Sequence, residues 1–229
     1  MTQETAEAGG GAAATPLTAE TQRYFMVQDY KEGKRAAPDA KIERGEDELE
    51  FLLASARDHV RTLRPDNKTD CECMMAFFAL LQRSEPGQRQ VKLAEEFLSR
   101  DWRGRTIRPE LYHALHRAIT LLGKQGTDEA LGVLKKVARA EFWEARAWRA
   151  LAEPAVSETE TRQELILRMR AWAGTLAGAR DPATAEALLS DMAREAPPGT
   201  FTASVIALAQ TYVEKVKRGE SVDDFFPVP

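Results

Sequence analysis

The strongest constraint on this chain is an internal repetition. Ile119 to Arg139 (ITLLGKQGTDEALGVLKKVAR) and Gly174 to Arg194 (GTLAGARDPATAEALLSDMAR) align without gaps at an offset of 55 residues. Seven of 21 positions are identical: Thr120/Thr175, Leu121/Leu176, Gly123/Gly178, Ala130/Ala185, Leu134/Leu189, Ala138/Ala193 and Arg139/Arg194. The pattern predicts a helix ending at a glycine, a turn of three or four residues, and a second helix that packs back antiparallel. Such a unit does not bury its apolar face alone, so copies stack.

The rest of the chain is helical by the same physics. Ala, Leu, Glu and Arg dominate and β-branched residues are scarce, which favours helix. Leu49, Leu52, Leu53, Ala56, Val60 and Leu63 form one helical stripe over Glu46 to Leu63, and Pro65 stops it. A helix from about Thr69 to Arg83 is apolar most of the way round, so it is expected at the centre. Pro86 reads as the first residue of a helix running to about Arg100. Pro109 starts a helix that Gly123 and Gly126 end, and Thr127 caps the next. A short helical segment, Glu141 to Ala152, carries Trp143 and Trp148. Ser157 and Glu160 read as the capping box of a long helix to Gly178, Asp181-Pro182 starts another, and the last covers about Thr202 to Arg218 with Val205, Ile206, Leu208, Ala209, Tyr212, Val213 and Val216 as its apolar set. The predicted fold is all-α: stacked antiparallel helix pairs, as a solenoid or an irregular bundle, with nine to ten helices. The organisation is a disordered tail over 1–17, an N-terminal helical part over 18–100, repeats over 109–219 and a tail over 220–229.

Leu122-Gly123-Lys124-Gln125-Gly126-Thr127-Asp128-Glu129-Ala130-Leu131 resembles the unit of HEAT-type helical repeats, Leu-Gly-x-x-Gly-(Asp/Thr)-x-x-Ala-(Leu/Val). The second copy departs from it, with Asp181 at the second glycine and Glu186 at the leucine. The resemblance covers roughly 110–195. Its offset exceeds the usual HEAT period of ~40–47 residues, and the Glu141 to Thr161 insert accounts for the excess. The resemblance implies a concave binding face.

Searches for chemistry come back thin. Glu110-x-x-His113 has no second copy to build a di-metal bundle. His113 and His116 share a face without an evident third ligand. Cys71 and Cys73, two apart on a helix, point about 200° apart, which suggests one buried thiol and one near the surface. There is no Gly-rich phosphate loop, nucleophile elbow or H-E-x-x-H. No catalytic residue, cofactor or metal site is assigned.

Two aromatic–basic clusters stand out as binding candidates. One is Trp102 with Arg103, Arg105 and Arg108, at the joint between the halves, where arginines beside an aromatic suit a phosphate or a base. The other is Trp143 and Trp148 with Phe142, Arg146 and Arg149; at i and i+5 the indoles lie on different sides of a helix, and the reading is core packing for both, with one as a binding anchor as the alternative, since Trp and Arg anchor interfaces. Phe225 and Phe226, in the tail DDFFPVP, either fold back on the last helices or dock into a partner.

The net charge is −4, which argues against a dedicated nucleic-acid binder. The longest apolar run, Met74 to Leu81, is eight residues, against the ~20 needed to span a bilayer. The first eighteen residues hold no Lys or Arg and no apolar stretch, so no secretory signal is predicted and a cytoplasmic location is expected. These features point to a non-catalytic adaptor or regulatory subunit that binds another protein. Two alternatives remain. One is an enzyme like the HEAT-like DNA glycosylases, which this chain resembles in length and class only; Trp143, Trp148, Arg180 and Asp181 would be the residues to fit. The other is a structural subunit of a larger assembly, including a homo-oligomer.

Overall fold

A computed structural model describes residues 46–152 and 161–220. Among them are nine helices: α1 (Glu46–Thr62), α2 (Lys68–Leu81), α3 (Gln88–Leu98), α4 (Pro109–Gln125), α5 (Asp128–Val137), α6 (Ala140–Glu144), α7 (Arg162–Gly178), α8 (Pro182–Glu195) and α9 (Phe201–Lys217). Two-residue strands, β1 (Thr106–Ile107) and β2 (Ala150–Leu151), pair in parallel. The fold is all-α. The tail over 1–17, the first stretch of the N-terminal helical part (18–45, where a short helix from Thr18 to about Tyr30 is expected), the Ser157–Glu160 box, and Phe225 and Phe226 lie outside the described residues.

Most helices start where a side chain can accept an otherwise orphaned N–H. Asn67 accepts from the Asp70 amide, Thr127 from Ala130, Asp181 from Thr184 and Thr200 from Ala203. Helix α7 begins at a capping box made by Thr161 and Glu164, four residues later than the sequence suggests. Pro86 is not a first helical residue: Gly87 is the N-cap and α3 begins at Gln88. Gly123 does not end its helix either. It sits inside α4, and Gly126, at φ +60°, is the left-handed cap.

The repeat is a structural one. The α4–α5 pair packs on α7, and α7 packs on α8, so copy rests on copy. The repeated threonine bonds back one turn in both: Thr120 Oγ1 donates to the His116 carbonyl at 3.0 Å, and Thr175 Oγ1 to that of Ala171 at 2.8 Å. The repeated glycine is a close approach. A Cβ at Gly123 would stand 2.8 Å from Leu176 Cδ2, and one at Gly178 2.7 Å from Val213 Cγ2. Each glycine lets the next helix in.

Helix α4 is packed between α2 and α3, and α7 contacts α4, α5, α8 and α9. The enclosed helices are therefore α4, which also meets α5 and α7, and α7, not the 69–83 helix; α7 buries Arg168, Arg170 and Thr175 along with its apolar side chains. Arg170 Nε donates to the Ala138 carbonyl at the end of α5, and its two amino groups grip both carboxylate oxygens of Glu195 at the end of α8. Each nitrogen of the buried guanidinium thus donates one hydrogen bond, two of them to a carboxylate. A single cluster of buried residues runs from Leu52 to Val213, so the joint at 100–108 divides no core. Both cysteines are buried, contrary to the expected split; burial pushes the Cys71 thiol up to about 12. No helix among the described residues is long and apolar enough to cross a membrane.

Candidate functional site

The strand pair brings the two aromatic–basic clusters together. Segments 102–107 and 146–152 run side by side: the Trp102 amide donates to the Arg146 carbonyl, Arg149 to Arg105, and Ala152 to Ile107, all at 2.8–2.9 Å. Thr106 registers with Ala150 and Ile107 with Leu151. The Arg108 amide donates to the Pro65 carbonyl at 2.8 Å and ties the same joint to the end of α1. The helix expected over Glu141 to Ala152 stops at Glu144, because the chain turns at Ala145 and becomes extended.

That change decides the fate of the tryptophans. Trp102 is 1% exposed, Trp143 1% and Trp148 0%. Both indoles of the second cluster are core, as the favoured reading has it, although Trp148 is not on the helix; the surface-anchor alternative falls. Trp143 meets Trp148 edge to face with ring centroids 6.4 Å apart, and its Nε1 donates to the Val137 carbonyl at 2.8 Å. Trp102 stacks edge-on against Phe97 at 6.0 Å. None of the three is a surface anchor. The indole N–H groups of Trp102 and Trp148 are buried without an acceptor among the described residues, which costs about 1–3 kcal/mol each.

The arginines divide by partner. Arg100 is turned inward: its guanidinium donates to the Val60 and Leu63 carbonyls at the end of α1 and lies 4.6 Å over the Trp102 ring. Arg103 is exposed and held in a two-pronged pair by Asp101, and hydrogen bonds from the Arg103 side chain and backbone hold that carboxyl down at about 2. Arg108 pairs with Glu110 at 3.3 Å. Arg146 donates to the Phe142 carbonyl at 2.8 Å and covers that ring at 4.5 Å. Arg105 and Arg149 are exposed and adjacent, and neither meets a carboxylate among the described residues.

Two further places bear on function. His116 lies flat on Trp172, centroids 5.1 Å apart at 16°, and burial lowers its pKa to about 4, so it is a neutral packing ring. Among the described residues no three His, Cys, Asp or Glu side chains gather as metal ligands. Asp181 and Arg180 are engaged elsewhere: Asp181 caps α8 and pairs with Lys135, and Arg180 pairs with Asp128 at 3.0 Å.

The other place is the outer side of α9. The helix buries Thr202, Ile206, Ala209 and Val213. Leu208, one of the expected apolar set, is on the outside, as are Phe201 and, in part, Val205. Phe201 is 62% exposed and Leu208 47%, and they are the large apolar side chains left open among the described residues. The sequence reading missed Phe201 because it put the helix start one residue later. The signal was there: Thr200 is a good N-cap, and Phe201 then falls seven residues before Leu208 on one face.

Comparison with protein-family models, with curated proteins and with solved structures finds no match.

Proposed function

We propose that this chain is a protein-binding module, an adaptor or regulatory subunit, and that the outer face of α9 receives an amphipathic helix of its partner. The observation that supports this most is the pair Phe201 and Leu208, two turns apart on one side of the last described helix of a stack. Inside the molecule each such face is covered by the next helix, as α7 covers α4 and α9 covers α7. A stack normally ends on a polar surface. Here the end keeps the i, i+4, i+7 spacing of Phe201, Val205 and Leu208 that helix-in-groove recognition uses. Arg168 lies 5.4 Å over the Phe201 ring and holds it in place from one side.

The test places a photo-crosslinking residue at position 208 and identifies the adduct in host extract. With the crosslinker moved to the exposed neighbouring position 204 for the comparison, the expected adduct is a different protein, cross-linked through a helix with an apolar stripe and lost in Phe201→Ser/Leu208→Ser at unchanged melting temperature. Self-adducts, with a dimer in sedimentation, would replace this reading by the assembly-subunit one. No adduct from either source would overturn it.

A further inference from the structure

Of the arginines at the strand joint, Arg105 and Arg149 differ from the rest. Arg103 has Asp101, Arg108 has Glu110 and Arg146 has the Phe142 carbonyl and ring. Arg105 and Arg149 stand next to each other, joined by the 2.9 Å hydrogen bond between their backbones, and neither pairs with a carboxylate among the described residues. Like charges side by side across paired strands repel. Arg100, half-buried behind them, adds a third guanidinium whose hydrogen bonds are spent on helix carbonyls. Burial and the charge of Arg105 both press its pKa down, so Arg100 feels the Arg105 charge. The backbone under the pair is fixed by the strand register and by the buried Trp102 and Trp148, so the two cationic heads are held on a rigid base.

We propose that Arg105 and Arg149 receive a single doubly charged phosphoryl group carried on a peptide segment of a protein partner. Guanidinium forks match phosphate oxygens geometrically, and a phosphorylated side chain brings close to two negative charges and three acceptors. The surroundings set the size of the ligand. Asp101 lies to one side, and Glu141 and Glu144 are exposed on α6. Nucleic-acid affinity accumulates over many phosphates along a basic track. Two unpaired arginines among acidic neighbours suit one phosphoryl group and repel a longer polyanion. The peptide as carrier rests on the protein-binding reading above; the anion site itself does not.

The experiment follows arginine Nε–Hε signals of the full-length protein while inorganic phosphate is added. It then compares a degenerate phosphoserine peptide pool with its unphosphorylated twin, and a 12-nucleotide DNA strand. The expected result is saturable shifts at Arg105 and Arg149, roughly tenfold weaker binding in Arg105→Gln or Arg149→Gln alone, none in the double variant, and no change in Arg103→Gln. The phosphoserine pool is expected to bind at least ~10-fold more tightly than phosphate, as added peptide contacts require. Unmoved signals, or equal shifts in the double variant, would overturn the site. Equal affinity for the pool and for phosphate would overturn the peptide carrier and assign the site to the free ion. DNA binding with a steep salt slope that the double variant loses would overturn it in favour of nucleic acid. Both variants change exposed side chains, and their melting curves check that they fold. Failure of the α9 crosslink with an intact phosphate titration would separate the two proposals.

Discussion

In α4–α5 the chain leaves the first helix through Gly126, at φ +60°, and Thr127 caps the second; in α7–α8 the turn is made by Asp181 as the cap and Pro182 as the first helical residue. Yet Gly123 and Gly178, one residue type at one place in both copies, each admit a neighbouring helix. Turn chemistry has several solutions of similar quality, so it drifts between copies. A close approach has one. The interior differs too. Copy one has Leu115 and Ala140 where copy two has Arg170 and Glu195, so a polar pair replaces an apolar one.

That exchange predicts the largest effect. Arg170→Ala leaves the Ala138 carbonyl and Glu195 without their donor. Losing one partner of a buried pair costs about 3–5 kcal/mol; Glu195 is partly exposed and rehydrates, so about 3 kcal/mol is expected in urea unfolding. Arg170→Leu/Glu195→Ala, which copies the first unit into the second, should recover at least half of that loss. Unchanged stability in Arg170→Ala would mean the pair holds nothing.

The two glycines come next and separate from each other. At Gly178 a Cβ meets Val213 and, at 3.1 Å, the Ala185 Cβ, neither of which has room to yield. Gly178→Ala should cost about 2 kcal/mol. At Gly123 the obstacle is the tip of half-buried Leu176, which can rotate. There the strain is offset by the helix propensity of alanine, about 1 kcal/mol, and Gly123→Ala should fall within about 1 kcal/mol of wild type. Thermal unfolding decides it, and the reverse order would break the argument from close approach.

The caps should differ in kind. Thr127→Ala is expected to cost about 1 kcal/mol at every pH. Asp181 titrates. Hydrogen bonds from Lys135 and Thr184 hold its carboxyl at about 2, below the ordinary 3.8. A depressed carboxyl stabilises the fold above its unfolded pKa, and that contribution fades as pH falls from about 4 to about 2. The stability difference between wild type and Asp181→Asn should therefore shrink over that window. A difference that stays flat would sink the assignment.

The sequence carried much of this. Period and caps placed α1, α4, α5 and α8 to within a residue or two, because those helices are amphipathic and the last three begin at Pro, Thr or Asp. It misplaced the centre, since α7 hides Arg168 and Arg170 in partnerships no local pattern reveals. It put Trp148 on a helix, since the strand pair joins segments about 44 residues apart and two residues are too few for an alternation. The arginine joint was legible as composition. That Arg105 and Arg149 would be the unpaired ones was not, because it depends on which carboxylates the fold brings near.

The smallest effect has the opposite sign. Gly132 lies on the exposed side of α5, with nothing within 4 Å of a Cβ built there. The equivalent position in copy two is Ala187. A glycine inside a helix keeps backbone entropy in the unfolded chain that alanine gives up, so Gly132→Ala should stabilise by about 0.5–1 kcal/mol. The same chemical change at positions 178, 123 and 132 then runs from harmful to neutral to helpful. Propensity is constant across the three and only the space beside the Cβ varies, so a destabilised Gly132→Ala would show that something besides steric room governs these glycines.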